Sequence, residues 1–294
     1  MKQLIIFTII LLLAASCSKE IDQTSIDTPT TARVTVRVDN FSIEQEEHAG
    51  TRATSDMTSF ARVKVITLAF YRSDGTEEYM VTQLRDDDSN YDTFGEFSLA
   101  LPMGSYTMVV LGYGGTAPII LNSTTEAVYP TDEHVRETFV ATQAVNITSS
   151  EDVELGASLN RVSSALFVVS TDNKSDNATN LRMTFSAGGR GLNPQTGLAT
   201  SNTGFNNTTI LNNFVDGLKT GSTSYLFLAS DEQTMTVTLD VLNAEGKSIS
   251  HREINNVPFK RNRRTKLTGS VYSTGVSAVF TIEDEPLDDY EMSF

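Results

Sequence analysis

From residue 32 onward, apolar residues recur with a period of two rather than 3.6, so the chain reads as strands. In Ala32–Val38 (ARVTVRV), Val34, Val36 and Val38 share one face and Thr35 and Arg37 the other. Arg62–Tyr71 (RVKVITLAFY) begins the same way and becomes continuously apolar, as a strand buried on both faces does. Ser73-Asp74-Gly75-Thr76 predicts a turn, since Asp-Gly favours positive φ. Glu96–Leu101 and Tyr106–Leu111 are strands on either side of the turn Pro102-Met103-Gly104-Ser105, and Gly112-Tyr113-Gly114-Gly115 breaks the second.

Thr131–Phe139 fits a helix or a strand. Beyond it, strands are expected at 142–147, 153–155, 162–170, 180–186, 225–229, 235–242, 248–254, 266–272 and 278–282, with Asn243-Ala244-Glu245-Gly246 as a hairpin turn. Gly189–Asn213 is rich in Gly, Asn and Thr and poor in hydrophobics, which predicts a long surface loop with little regular structure. Regular short strands with frequent turn residues predict an all-β chain of the β-sandwich class. A division near 158/159 splits it into an N-terminal unit at 32–158 and a C-terminal unit at 159–294, each near the common domain size.

The first residues follow a different pattern. Residues 1–16 (MKQLIIFTIILLLAAS) combine Lys2 with an apolar run from Leu4 to Ala15, too short to span a bilayer and suited to a signal peptide. The run ends at Ala14-Ala15-Ser16-Cys17. Small residues just before a cysteine resemble the bacterial lipobox, although the usual leucine is displaced to Leu13, one place further out. Cys17 is the only cysteine of the chain. Its position favours lipidation over an incidental thiol and leaves no intrachain disulfide or thiolate metal cluster. An acylated Cys17 tethers the mature chain to a membrane. Residues 17–31 are the lipidated tether, with Gln23–Thr31 (QTSIDTPTT) polar and expected to be flexible.

Composition narrows the function. The 294 residues are 39% hydrophobic, enough for a sizeable core. Asp and Glu number 37 against 22 Lys and Arg, for a net charge of −15, so a nucleic-acid partner is disfavoured. His48, His134 and His251 lie apart in polar contexts, without metal-ligand spacing, and are expected at the surface. No H-E-x-x-H, G-x-S-x-G or phosphate-cradling loop is present. The chain is therefore read as a non-enzyme with no catalytic residue, no metal site and no cofactor.

Two charged segments remain. Asp86-Asp87-Asp88-Ser89-Asn90-Tyr91-Asp92 places oxygen ligands at alternate positions, like the start of a calcium loop. It lacks the glycine and the bidentate glutamate of an EF-hand, so a solvated acidic hairpin loop is favoured. Lys260-Arg261-Asn262-Arg263-Arg264-Thr265-Lys266 is the one basic cluster. It reads as an anion patch, as a turn leading into a strand, or as the complement of the acidic tail Glu283–Glu291 on a neighbouring molecule.

Leu101-Pro102-Met103-Gly104-Ser105-Tyr106-Thr107-Met108-Val109, of the form L-P-x-G-x-Y-x-x-V, occurs in the first half. The second half opens with Leu159-Asn160-Arg161-Val162-Ser163-Ser164-Ala165-Leu166 and closes with Val257–Tyr272 (VPFKRNRRTKLTGSVY). With the lipobox, this layout resembles the fimbrillin and fimbrial-anchor proteins of Bacteroidota, the FimB/Mfa2-like group of type V pili. The resemblance implies two transthyretin-like β-sandwich domains. It implies an anchor or minor (accessory or tip) pilus subunit, with other pilus subunits as partners by strand exchange. It also implies that Arg52, in Thr51-Arg52-Ala53-Thr54, is a candidate site for proteolytic removal of the first strand; a plain loop arginine is the other reading. A surface glycan- or ligand-binding lipoprotein is the alternative function, weakened by the absence of tryptophan.

Overall fold

The structure, a computed structural model, describes residues 30–43, 53–56, 61–115, 119–211, 220–273 and 279–287. Among these residues every regular element is a strand. In chain order the first ten are β1 (Thr31–Ile43), β2 (Ala53–Asp56), β3 (Val65–Arg72), β4 (Glu77–Leu84), β5 (Glu96–Pro102), β6 (Gly104–Tyr113), β7 (Ile120–Ser123), β8 (Glu126–Val128), β9 (Thr138–Ile147) and β10 (Val153–Arg161). All but β7 and β8 belong to one eight-stranded sheet.

That sheet folds over on itself. β9 and β10 share only the pairs Val140–Asn160 and Phe139–Arg161, so β5, β1 and β10 form one layer and β9, β6, β3 and β4 the other. The period-two pattern places Val34, Val36, Leu99, Leu101 and Leu159 on one side of the core, facing Ile66, Leu68, Phe70, Met108, Val110 and Phe139. β1 is central to its layer. It runs parallel to β10 and antiparallel to both β5 and β2.

The uninterrupted apolar run in β3 has the expected cause. Its second face, Val65, Ala69 and Tyr71, is buried with Val109, Leu111 and Tyr113 of β6 against a third layer. That layer is a small sheet in the order β14-β13-β8-β7, with β13 at Gly191–Asn193 and β14 at Leu198–Ala199. The segment read as a featureless loop, Gly189–Asn213, therefore carries β13, β14 and β15 (Phe205–Ile210). Its hydrophobic signal is weak because few of its side chains are buried: Leu192 in the third layer, Pro194, Leu211 in the core of the second sandwich, and Asn207, which is satisfied by Ser224 Oγ at 2.6 Å.

The remaining strands form a second sandwich. They are β11 (Ser164–Ser170), β12 (Asn180–Phe185), β16 (Gly221–Leu226), β17 (Glu232–Leu242), β18 (Ser248–Lys260), β19 (Arg263–Gly269) and β20 (Thr281–Pro286), together with β15. One sheet has the order β16-β11-β19-β20 and the other β15-β12-β17-β18. Leu166, Val168, Leu226 and Leu267 face Leu181, Met183, Phe185, Val237, Leu239 and Phe259 across the core.

Most expected strands are present, and their ends shift where pairing decides. β10 continues along β1 to Asn160 and ends at Arg161, which pairs with Phe139 of β9, and β18 extends to Lys260 along β17. β4 was not expected; it completes the hairpin that Gly75, at φ +86°, turns back from β3. Thr131–Phe139 contains no helix, and its last residues start β9. The turn Pro102–Ser105 is a corner and not a hairpin: β5 pairs with β1 in one layer and β6 with β3 and β9 in the other. Tyr106 donates its hydroxyl back to the Pro102 carbonyl at 2.7 Å and buries its ring, which explains a tyrosine four residues after the proline.

Asp172 holds the turn after β19. Its carboxylate accepts from Ser270 Oγ, from the amides of Val271, Tyr272 and Ser273, and from Ser273 Oγ, at 2.7 to 2.9 Å. Burial alone would push its pKa up, but the donors of Ser270, Val271 and Ser273 hold it below the ordinary carboxylate value. A folded-state pKa below the unfolded one adds stability that is present above the unfolded value and lost as pH falls through the folded one. Asp172→Asn is expected to cost ~1–3 kcal/mol at neutral pH and to flatten the acid side of the stability profile. Urea midpoints measured across the acid range check both effects.

Candidate assembly edges and the C-terminal strand

The sequence points to two positions for assembly chemistry, Cys17 and Arg52, and both lie outside the described residues. His48 does as well. The described part shows the strands on which a strand-exchange reading bears, β1 and β20.

β1 contributes Ala32, Val34, Val36, Val38 and Phe41 to the core of the first sandwich, all nearly or fully buried. Burying such side chains contributes about 1.5–3 kcal/mol each for the larger ones. Seven register pairs join β1 to β5 and eight join it to β10. Removal of this strand would uncover a long apolar groove with unpaired backbone on both sides.

β20 is attached differently. It is an edge strand paired antiparallel with β19 from Thr281–Thr268 to Pro286–Arg263. Its side chains from Thr281 to Asp284 are exposed, so charge and backbone bonds hold it more than apolar packing. Arg263 Nε lies 2.6 Å from Asp284, Arg264 Nη2 lies 2.5 Å from Glu285, and Lys266 Nζ lies 3.2 and 3.1 Å from Glu283 and Glu285. Lys260 lies 3.3 Å from Glu232, and Arg261 lies 2.8 Å from Asp231.

The basic cluster is thus matched within its own chain. Glu283, Asp284 and Glu285 meet it across β19 and β20, so of the three readings the turn into a strand holds and the acids that complement the cluster lie on the same chain rather than on a neighbour. The hydrogen bond that Lys266 donates to Glu285 raises its pKa, followed by the one it donates to Glu283. Burial pushes the Glu285 carboxyl up, but the bonds from Arg264 and Lys266 bring it below its ordinary value. Sequence spacing could not show this match, because β19 and β20 are joined by a connection that brings residue 264 opposite 285.

After β20, Leu287 is buried and its carbonyl accepts a 2.7 Å bond from Arg161 Nη1. The Arg161 side chain is fully buried. Its Nε lies 2.8 Å from Glu137, its Nη1 donates to Asn262 Oδ1 at 3.3 Å, and its guanidinium lies 5.2 Å from the Phe139 ring centre. Glu137 also meets Arg62 at 3.2 Å. One arginine at the end of β10 therefore joins the first sandwich to the β18–β19 turn and to the C-terminal segment. In the sequence Arg161 stands only within the family-like segment 159–166, and no local pattern signals this role.

The other expected sites are placed as follows. His251 is exposed, with Nδ1 2.8 Å from Asp240. His134 is only half-exposed, so the surface expectation is corrected for it; burial lowers its pKa, followed by Arg136 and Arg190. The 86–92 segment links β4 to β5, two strands that pair with different partners, and so is not a hairpin loop. Asp86 pairs with Lys64 at 3.4 Å, and Asp87 accepts from the amide and hydroxyl of Ser89. Among the described residues no group of three acids, histidines or cysteines converges on a metal-sized space.

Among solved structures, the chain is similar to a candidate adhesin from Bacteroides ovatus, with a TM-score of 0.54 at 11% identity, covering 88% of this chain and 97% of that one. A candidate adhesin from Bacteroides ovatus ATCC 8483 aligns with a TM-score of 0.50 at 11% identity over 83% of this chain and 88% of that one. The fimbrial anchor protein Mfa2 from Porphyromonas gingivalis aligns with a TM-score of 0.48 at 13% identity over 86% and 97%. The two Bacteroides ovatus likenesses establish a shared fold. No curated protein matches the chain by sequence. Residues 117–291, more than half of the chain, match the family of unknown function DUF6562, and the chain belongs to that family.

Proposed function

We propose that this protein is an outer-membrane lipoprotein that anchors a type V pilus or serves as one of its minor subunits. It would be held by lipid on Cys17 and joined to other subunits by β-strand complementation, a binding role without catalysis. The chain would divide near residue 158 into two units after the signal peptide and tether.

The observation that carries this reading is the state of the last strand. β20 pairs with β19 inside its own sheet, and Arg161 grips the carbonyl that follows it. A subunit that donates its C-terminal strand needs that strand free, whereas an anchor or terminal subunit keeps it folded back. The fold shared with candidate adhesins supports the same setting, and so does the lipobox-like Ala14-Ala15-Ser16-Cys17.

Intact-mass measurement of the protein from native membranes is the test. The anchor form is expected to begin at a diacylated Cys17 and to retain Arg52 within the chain. Loss of residues 17–52 from the assembled form overturns the anchor and favours a polymerising subunit. An unmodified Cys17 overturns the lipid attachment.

A further inference from the structure

We infer that the cleft between the free edges of β4 and β5 is a binding site for a neutral sugar. β4 pairs only with β3 and β5 only with β1, and between them the Gln83 side chain donates to the Glu96 carbonyl at 2.8 Å and accepts from the Gly95 amide at 2.7 Å, so the two edges flank a cleft that Gln83 bridges. The opening is a cleft of about 530 Å³, within the size range of small-molecule sites. Six of its lining residues carry the argument: Tyr79, Tyr91, Arg33, Asn90, Asp92 and Glu96.

Tyr79 and Tyr91 are half-buried, so each combines a supported ring with an accessible part. Tyr91 is preorganised. Its hydroxyl donates to the Leu84 carbonyl at 2.5 Å, and its ring lies 6.0 Å from Phe94, which the Arg85 guanidinium covers at 4.3 Å. Arg33 is steadied by Ser98 Oγ at 3.2 Å. Asn90, Asp92 and Glu96 add an amide and two carboxylates. Planar groups of this kind bond pairs of neighbouring hydroxyls, and tyrosine rings accept the C–H face of a sugar.

Charge selects among sugars. Glu96 lies 3.5 Å from Arg37, so Arg33 and Arg37 balance Asp92 and Glu96, and a cleft of matched charge on a chain of net charge −15 favours an uncharged sugar over phosphates and acidic sugars. The same segment that looked like a broken calcium loop, 86–92, thus supplies Asn90, Tyr91 and Asp92 to a different kind of site. This site does not depend on the anchor reading, which is tested separately by mass.

Saturation-transfer NMR on the full mature protein tests it, with neutral hexoses, N-acetylhexosamines and their disaccharides as probes. At least one neutral sugar is expected to show transfer. Its affinity is expected to fall roughly tenfold in Tyr79→Ala and in Asp92→Ala, and to be unchanged in Ile120→Ala, outside the cleft. Asp92 is exposed, so its variant keeps the fold and remains informative if Tyr79→Ala is unstable. No transfer from any probe overturns the inference. So does equal affinity in Asp92→Ala, or transfer only to an extended peptide offered to the same cleft.

Discussion

Replacing Arg161 by alanine is expected to lower the stability of the protein by about 3–5 kcal/mol, the usual cost of removing one partner from a buried ion pair. The Arg161 side chain is 0% exposed and Glu137 is 6% exposed. Without the guanidinium, Glu137 keeps only Arg62, and the carbonyl of Leu287 and the Asn262 side chain lose buried donors. Such groups cost their full desolvation when left unpaired. The neighbouring Tyr225 phenol, pushed up to about 12 mainly by burial and then by Glu137, has a further reason to stay neutral once Arg161 no longer offsets that carboxylate. Thermal unfolding of Arg161→Ala is expected to show a midpoint lower by on the order of 10 °C. Arg161→Lys restores charge without the planar fork and should fall between the two. A loss below about 1 kcal/mol for the alanine variant contradicts the role assigned to Arg161.

Phe227→Ala is expected to cost about as much, 3–5 kcal/mol, through a different mechanism. Phe227 follows β16 in the second sandwich, yet its ring belongs to the third-layer core with Tyr71, Leu111, Tyr113 and Leu192. It is fully buried and stacks on Tyr129 with centroids 6.2 Å apart and planes at 19°. Its backbone is fixed on both sides by Gly189, so the main chain stays in place when the ring is removed and a cavity remains. Phe227→Leu fills much of that volume and should recover most of the loss. Equilibrium urea unfolding of the two variants measures this. A small loss for alanine would mean that the third layer collapses around the gap and contributes little to joining the two sandwiches.

Both effects arise where distant parts of the chain meet, and such places were the least legible in sequence. Phe227 stood within an expected strand, 225–229, with no sign that its ring crosses to the other half. Arg161 sits between Asn160 and Val162 and looks like any strand-end arginine. Its burial follows from Glu137, Asn262 and Leu287 converging on it from up to 126 positions away. The basic cluster 260–266 was visible at once, and its partners 283–285 were visible too. Only the β19–β20 register shows that they satisfy one another within one molecule.

What the amino-acid pattern determined by itself was the kind of element and the kind of core. Period-two alternation in Ala32–Val38, the unbroken apolar run of β3 and the turns at Gly75 and Gly246 follow from side-chain geometry and backbone sterics, which act within a few residues. They were enough for an all-β chain of the sandwich class. The tertiary structure alone decided which strands are neighbours: the fold of the eight-stranded sheet between β9 and β10, the third layer built from 191–199, and the return of β20 onto β19. Those choices depend on hydrogen bonds and apolar contacts between residues far apart in sequence. Their strength is set by spatial register, which no local pattern encodes.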